Sequence, residues 1–76
     1  AHNVIIGERC VIAAETGISG SAVIGDDCVI GGQVGIADHV RIENNVIIGA
    51  RSAVFPGKIV RPGIYAGSPI QPIQDY

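Results

Sequence analysis

Residues 6–18, IGERCVIAAETGI, return eighteen residues later as IGDDCVIGGQVGI (residues 24–36), with seven of thirteen positions identical. A shorter period runs inside the longer one. Counting by sixes from Ile6 meets Ile12, Ile18, Ile24, Ile30, Ile36, Ile42 and Ile48, then Val54 and Val60. Four places after each of these runs a second column: Cys10, Thr16, Ala22, Cys28, Val34, Val40, Val46, Ser52, Lys58 and Ile64. A helix would space its apolar residues by three and four, and a lone strand by two. Six fits a short strand and a turn, repeated. The branched aliphatic residue and the small residue of each unit point inward, and glycine supplies backbone freedom at the bends. Internal repetition of this kind outranks other readings and predicts a parallel β-solenoid whose Ile side chains stack from rung to rung.

Eighteen is three sixes, so each coil has three short sides. The polar pairs Glu8-Arg9, Asp26-Asp27 and Asn44-Asn45 recur at that interval, as one solvated corner would. This pattern resembles the left-handed parallel β-helix of the hexapeptide-repeat acyltransferases, an all-β fold. Its left hand departs from the usual crossover preference and is implied by the resemblance alone.

Composition agrees with a thin core. Hydrophobic residues are 47% of the 76, yet aromatic residues are only 4%. The chain is too short for more than one small domain. It has no methionine, and Ala1 falls mid-repeat, so the sequence reads as part of a longer chain. The net charge of −2, with no basic run, argues against nucleic acid as a partner. No apolar stretch is long enough for a transmembrane helix. Residues 1–65 are expected to form the β-helix and residues 66–76 a post-solenoid C-terminal segment. The pattern loosens from residue 54, where Phe55 reaches a corner, Lys58 falls in the inward column, and Pro56-Gly57 and Pro62-Gly63 mark turns. The last residues have the makings of a helix start.

Cys10 and Cys28 share the inward column one coil apart, within disulfide reach. They are read as reduced core fillers. No CxxC spacing or larger ligand set marks a metal site.

The two histidines offer the chemistry. His2 and Gly20 occupy the third place of their hexads one coil apart, and His39 follows Asp38, which holds that place one coil further on. All lie on one corner edge. A histidine at such a corner is usually only a solvated residue. Alignment with a glycine suggests more: a neutral imidazole suits a general base, and a glycine N–H suits a developing oxyanion. No nucleophile is evident in the chain, so one would come from the substrate.

The stretches AHNVIIG, AETGISGS, IGGQVGIADH and AGSPIQP are similar to those of the UDP-3-O-(3-hydroxyacyl)glucosamine N-acyltransferases of lipid A biosynthesis, over nearly the whole chain. The resemblance implies His2 as the general base, Gly20 as the oxyanion N–H donor and His39 as a supporting residue. It implies a 3-hydroxyacyl donor on acyl carrier protein, whose 4'-phosphopantetheine holds the thioester, with no cofactor bound. It further implies UDP-3-O-acylglucosamine as acceptor, a homotrimer and a cytoplasmic setting. The family usually has glycine where this chain has Asp38, which puts the detailed role of His39 in question. Two other readings stand beside this one. The chain could be another hexapeptide-repeat transferase using acetyl- or acyl-CoA, or a structural solenoid with incidental histidines. A carbonic anhydrase of this fold needs three histidine ligands, and the chain has two.

Overall fold

The computed structural model describes residues 3–73. Twelve short strands follow one another. They are β1 Ile5–Ile6, β2 Val11–Ile12, β3 Gly17–Ile18, β4 Val23–Ile24, β5 Val29–Ile30 and β6 Gly35–Ile36. Then come β7 Arg41–Ile42, β8 Val46–Ile48, β9 Ala53–Val54, β10 Ile59–Val60, β11 Gly63–Ala66 and β12 Gln71–Pro72. Every third strand stacks in parallel on the one before. β1, β4, β7 and β10 form one face, β2, β5, β8 and β11 a second, and β3, β6 and β9 a third. The fold class is the expected one, an all-β parallel β-helix of three sides per coil.

Register follows the eighteen-residue period. Ile6 pairs with Ile24, Ile24 with Ile42, Ile12 with Ile30, and Ile18 with Ile36. Ile24, Ile30, Ile36, Ile42, Ile48, Val54 and Val60 are all at most 2% exposed. Each such side chain contributes roughly 1.5–3 kcal/mol by leaving water. The second inward column does more than fill space. Cys10 Sγ–H donates to Gly25 O at 3.0 Å, Thr16 Oγ1–H to Gly31 O at 2.9 Å and Cys28 Sγ–H to Glu43 O at 3.2 Å. The cysteines are free, as expected, and burial pushes the Cys28 thiol pKa up. At the lower end, Ile6 has no coil beneath it among the described residues and is 46% exposed.

Two expectations need correcting. Lys58 does not turn inward but is exposed, because its charge would find no partner among the aliphatic residues. Ile64 is also not inward. In β11 the pairs are Gly63 with Val46, Ile64 with Ile47 and Tyr65 with Ile48, an offset of seventeen where the earlier coils have eighteen. Losing one residue moves each side chain to the opposite face. Ile64 is therefore 42% exposed, and Tyr65 packs against the core in its place.

The segment after Tyr65 belongs to the same body. β12 pairs antiparallel with β11, and Ile70, 6% exposed, joins the hydrophobic cluster at that end. Ser52, the one buried polar side chain among the described residues, ties this segment down. Its Oγ–H donates to Gly49 O at 2.7 Å while Oγ accepts the Gly67 N–H at 3.1 Å. The helix start expected at the extreme C-terminus lies outside the described residues.

Glycine's part at the corners also differs from expectation. The left-handed backbone conformation falls on the fourth place of each hexad. There stand Asn3, Arg9, Glu15, Ser21, Asp27, Gln33, His39, Asn45 and Arg51, all non-glycine, before Gly57. Asn and Asp tolerate that region; the others hold it because every coil imposes the same turn. Glycine instead serves close approach. A Cβ on Gly25 would lie 2.9 Å from the backbone N of Asn44, and one on Gly31 2.7 Å from that of Ala50. Gly25→Ala should therefore cost about 1–3 kcal/mol, as overpacking does. Gly35→Ala, whose Cβ meets nothing within 4 Å, should cost under about 0.5 kcal/mol. Urea midpoints of the two variants check the pair, and equal midpoints would refute the close-approach account.

Candidate functional site

The prism has three corner edges, and side chains zip two of them. On the first, after β1, β4 and β7, Arg9 reaches up one coil and makes a bidentate pair with Asp27, Nε to Oδ1 at 2.7 Å and Nη2 to Oδ2 at 3.1 Å. That contact holds the exposed Asp27 carboxyl below its usual pKa and raises that of Arg9. On the second, after β2, β5 and β8, Gln33 Nε2 donates to Glu15 Oε1 at 2.9 Å and Arg51 Nε to Gln33 Oε1 at 3.3 Å. These are ladders of fourth-place residues.

The third edge, after β3, β6 and β9, carries Ser19-Gly20-Ser21, Ala37-Asp38-His39 and Phe55-Pro56-Gly57. Its fourth-place column is Asn3, Ser21, His39 and Gly57, and among the described residues no side-chain hydrogen bond links them. Backbone bonds alone join the coils there, His39 N–H to Gly20 O and Gly57 N–H to Asp38 O, each 3.1 Å. Polar side chains of this edge are left available, which distinguishes it from the two structural corners.

The backbone thus brings two of the three residues singled out from sequence onto neighbouring coils: Gly20 and His39 meet through the His39 N–H. The His39 ring is exposed. Its positive φ of 58° is the common property of its column and marks no special strain. His2 lies outside the described residues. Among the described residues no group of three His, Cys, Asp or Glu side chains could hold a metal ion. No described helix is long and apolar enough to cross a membrane.

One feature of the site escaped the sequence reading. The outward places on the third face are Gly17, Gly35 and Ala53, so this face is nearly bare of side chains. A trough of about 520 Å³ runs along it, bordered by Ser19, Ala37 and Phe55 at the edge that carries Gly20 and His39. Its lining is mainly apolar. The signal was present as small residues spaced by eighteen, a column outside the two inward ones.

The comparisons agree with this geometry. The family profile for the bacterial transferase hexapeptide (six repeats) matches residues 21–56, and that for the hexapeptide repeat of succinyl-transferase matches residues 3–36. The chain is 41% identical over 75 residues to the UDP-3-O-acylglucosamine N-acyltransferase of Methylococcus capsulatus. The alignment takes in 99% of this chain but only 21% of that relative. Among solved structures, a hexapeptide-repeat containing acetyltransferase from Vibrio cholerae superposes with a TM-score of 0.68 at 20% identity, over 96% of this chain and 62% of that one. That likeness is one of fold. With its period, its three-sided prism and these matches, the chain carries the hexapeptide repeats of bacterial transferases across residues 3–56 and resembles part of UDP-3-O-acylglucosamine N-acyltransferase.

Proposed function

We propose that the intact protein to which this chain belongs is an acyltransferase that moves a 3-hydroxyacyl chain from acyl carrier protein to the 2-amino group of UDP-3-O-acylglucosamine, in lipid A biosynthesis. The observation that carries this reading is the 41% identity across 99% of the chain. The unzipped corner with Gly20 and His39 on adjacent coils supports it.

In this reading the repeat frame puts His2 one coil before Gly20 on the same edge. His2 takes a proton from the sugar amine as its nitrogen attacks the thioester carbonyl of the donor. A C–N bond forms and the carbonyl oxygen gains charge. The Gly20 N–H donates to that oxygen, a contribution that grows in the transition state. Collapse breaks the C–S bond, and the proton held by His2 passes to the departing 4'-phosphopantetheine thiolate. No bound cofactor is required. His39, beside Asp38, supports the same corner by orienting substrate. The trough on the third face offers the apolar wall that an acyl chain needs. The working assembly is a homotrimer in the cytoplasm.

An N-acylation assay of the intact protein tests this. Purified protein is offered UDP-3-O-acylglucosamine with 3-hydroxyacyl carrier protein or with acetyl-CoA. Transfer from the carrier protein is the expected result, at least about 10²-fold faster than from acetyl-CoA, since a substrate stripped of its remote binding groups loses turnover as well as affinity. Transfer from acetyl-CoA alone would move the protein to the CoA-dependent transferases. Transfer from neither, by a folded protein, would favour a structural solenoid.

A further inference from the structure

On the first corner edge, third-place side chains turn back one coil and accept a backbone proton. Asp26 Oδ1 accepts the Glu8 N–H at 2.9 Å, and Asn44 Oδ1 accepts the Asp26 N–H at 2.7 Å. Each return is possible because the second-place residue of the coil below is glycine. A Cβ on Gly7 would overlap Asp26 Oδ1, and a Cβ on Gly25 would overlap Asn44 Oδ1.

The edge bearing Gly20 has the same backbone frame. His39 N–H meets Gly20 O at 3.1 Å, as Asp27 N–H meets Glu8 O at 2.9 Å and Asn45 N–H meets Asp26 O at 3.0 Å. It also has a suitable acceptor, because Asp38 occupies the place of Asp26 and Asn44. On that pattern the Asp38 carboxylate would cap the Gly20 N–H. Among the described residues no hydrogen bond links them. The corner differs at its second place, where Ser19 stands instead of glycine. Its Cβ fills the space that a returning carboxylate oxygen needs.

We infer that Ser19 is a positioning residue: its Cβ keeps Asp38 from capping the Gly20 N–H, leaving that donor free for the substrate. The inference rests on the reading of Gly20 as the oxyanion donor. A carboxylate on that N–H would consume the donor and put a negative charge where another must develop. Removing the Cβ should let the corner cap itself, as its two counterparts do.

The test uses the intact protein with Ser19→Gly, Ser19→Ala, Asp38→Ala and the double variant Ser19→Gly/Asp38→Ala. Two readouts are taken: acyl transfer, and hydrogen–deuterium exchange of the Gly20 amide resolved by fragmentation mass spectrometry. Ser19→Gly should slow Gly20 exchange at least about 10-fold and lower kcat by about 10²- to 10³-fold, the size expected for loss of one oxyanion contact. Adding Asp38→Ala should restore both. Ser19→Ala, which keeps the Cβ, should leave Gly20 exchange at the parent rate. Unchanged Gly20 exchange in Ser19→Gly would overturn the inference, as would a loss that Asp38→Ala does not rescue. Slowed and rescued exchange without any loss of turnover would uphold the role of Ser19 and overturn Gly20 as the oxyanion donor.

Discussion

Ile30→Asp should leave the intact protein without a stable fold, seen as loss of the soluble cooperative melt that the parent shows. Ile30 is fully buried and lies in register between Ile12 in the coil below and Ile48 in the coil above. The same cluster holds Ile24 and Ile36 from the neighbouring faces of the coil. Replacement forfeits the burial of one isoleucine, roughly 1.5–3 kcal/mol. It also places a carboxylate among aliphatic side chains with no cation to pair it. An unpaired buried charge costs several kcal/mol more, even after it takes up a proton. Together these approach the 5–15 kcal/mol by which whole domains are stable. Ile30→Val, which keeps a branched side chain in the column, should cost only about 0.5–1.5 kcal/mol. A normal melting transition for the aspartate variant would mean that the Ile column is not the core.

The contrast between the two inward columns shows what could be read from sequence. Ile30 was legible because three independent constraints coincide there: the six-residue spacing, the branched side chain and an eighteen-residue partner on either side. Lys58 met the spacing alone, and Ile64, though branched, lies in a coil whose register has slipped by one residue. Spacing fails once a coil loses a residue, and the deletion after Val60 leaves no sign except the turn at Pro62-Gly63. The capping position of Ile70 was equally hidden, since it depends on a chain reversal and an antiparallel pair outside the repeat. Ser52 looked like a small filler, yet it anchors that reversal through two hydrogen bonds.

The corners divide in the same way. That Gly20 and His39 share an edge follows from arithmetic on the repeat. That this edge lacks the side-chain ladders of the other two does not, because Arg9–Asp27 and Glu15–Gln33–Arg51 become ladders only when the fourth places stack. The meaning of glycine was the least legible part. Residues such as Arg9 and Gln33 accept the left-handed turn, so glycine is released to the second place, where neighbouring coils approach most closely. Which second places are glycine then decides which corner amides become capped, and that consequence reaches the site through Ser19.

His2→Ala in the intact protein should reduce acyl transfer by about 10²- to 10⁴-fold, the usual worth of a positioned general base, with the melting temperature and the oligomer unchanged. The stability half of this expectation follows from place: third-place residues sit at corners and contribute nothing to the two inward columns. The activity half follows from chemistry. An amine that attacks a thioester must shed a proton as the C–N bond forms, and the chain supplies no covalent nucleophile to share the work. His39→Ala should cost less, about 10-fold, because a residue that orients substrate can be partly replaced by the substrate's other contacts. Added imidazole separates proton transfer from any structural effect of the alanine. If it restores turnover to His2→Ala and not to His39→Ala, the base stands at residue 2. If His2→Ala turns over as the parent does, proton transfer lies elsewhere and the edge must be read again from His39 and Asp38. A lost oligomer together with lost activity would instead make His2 an assembly residue.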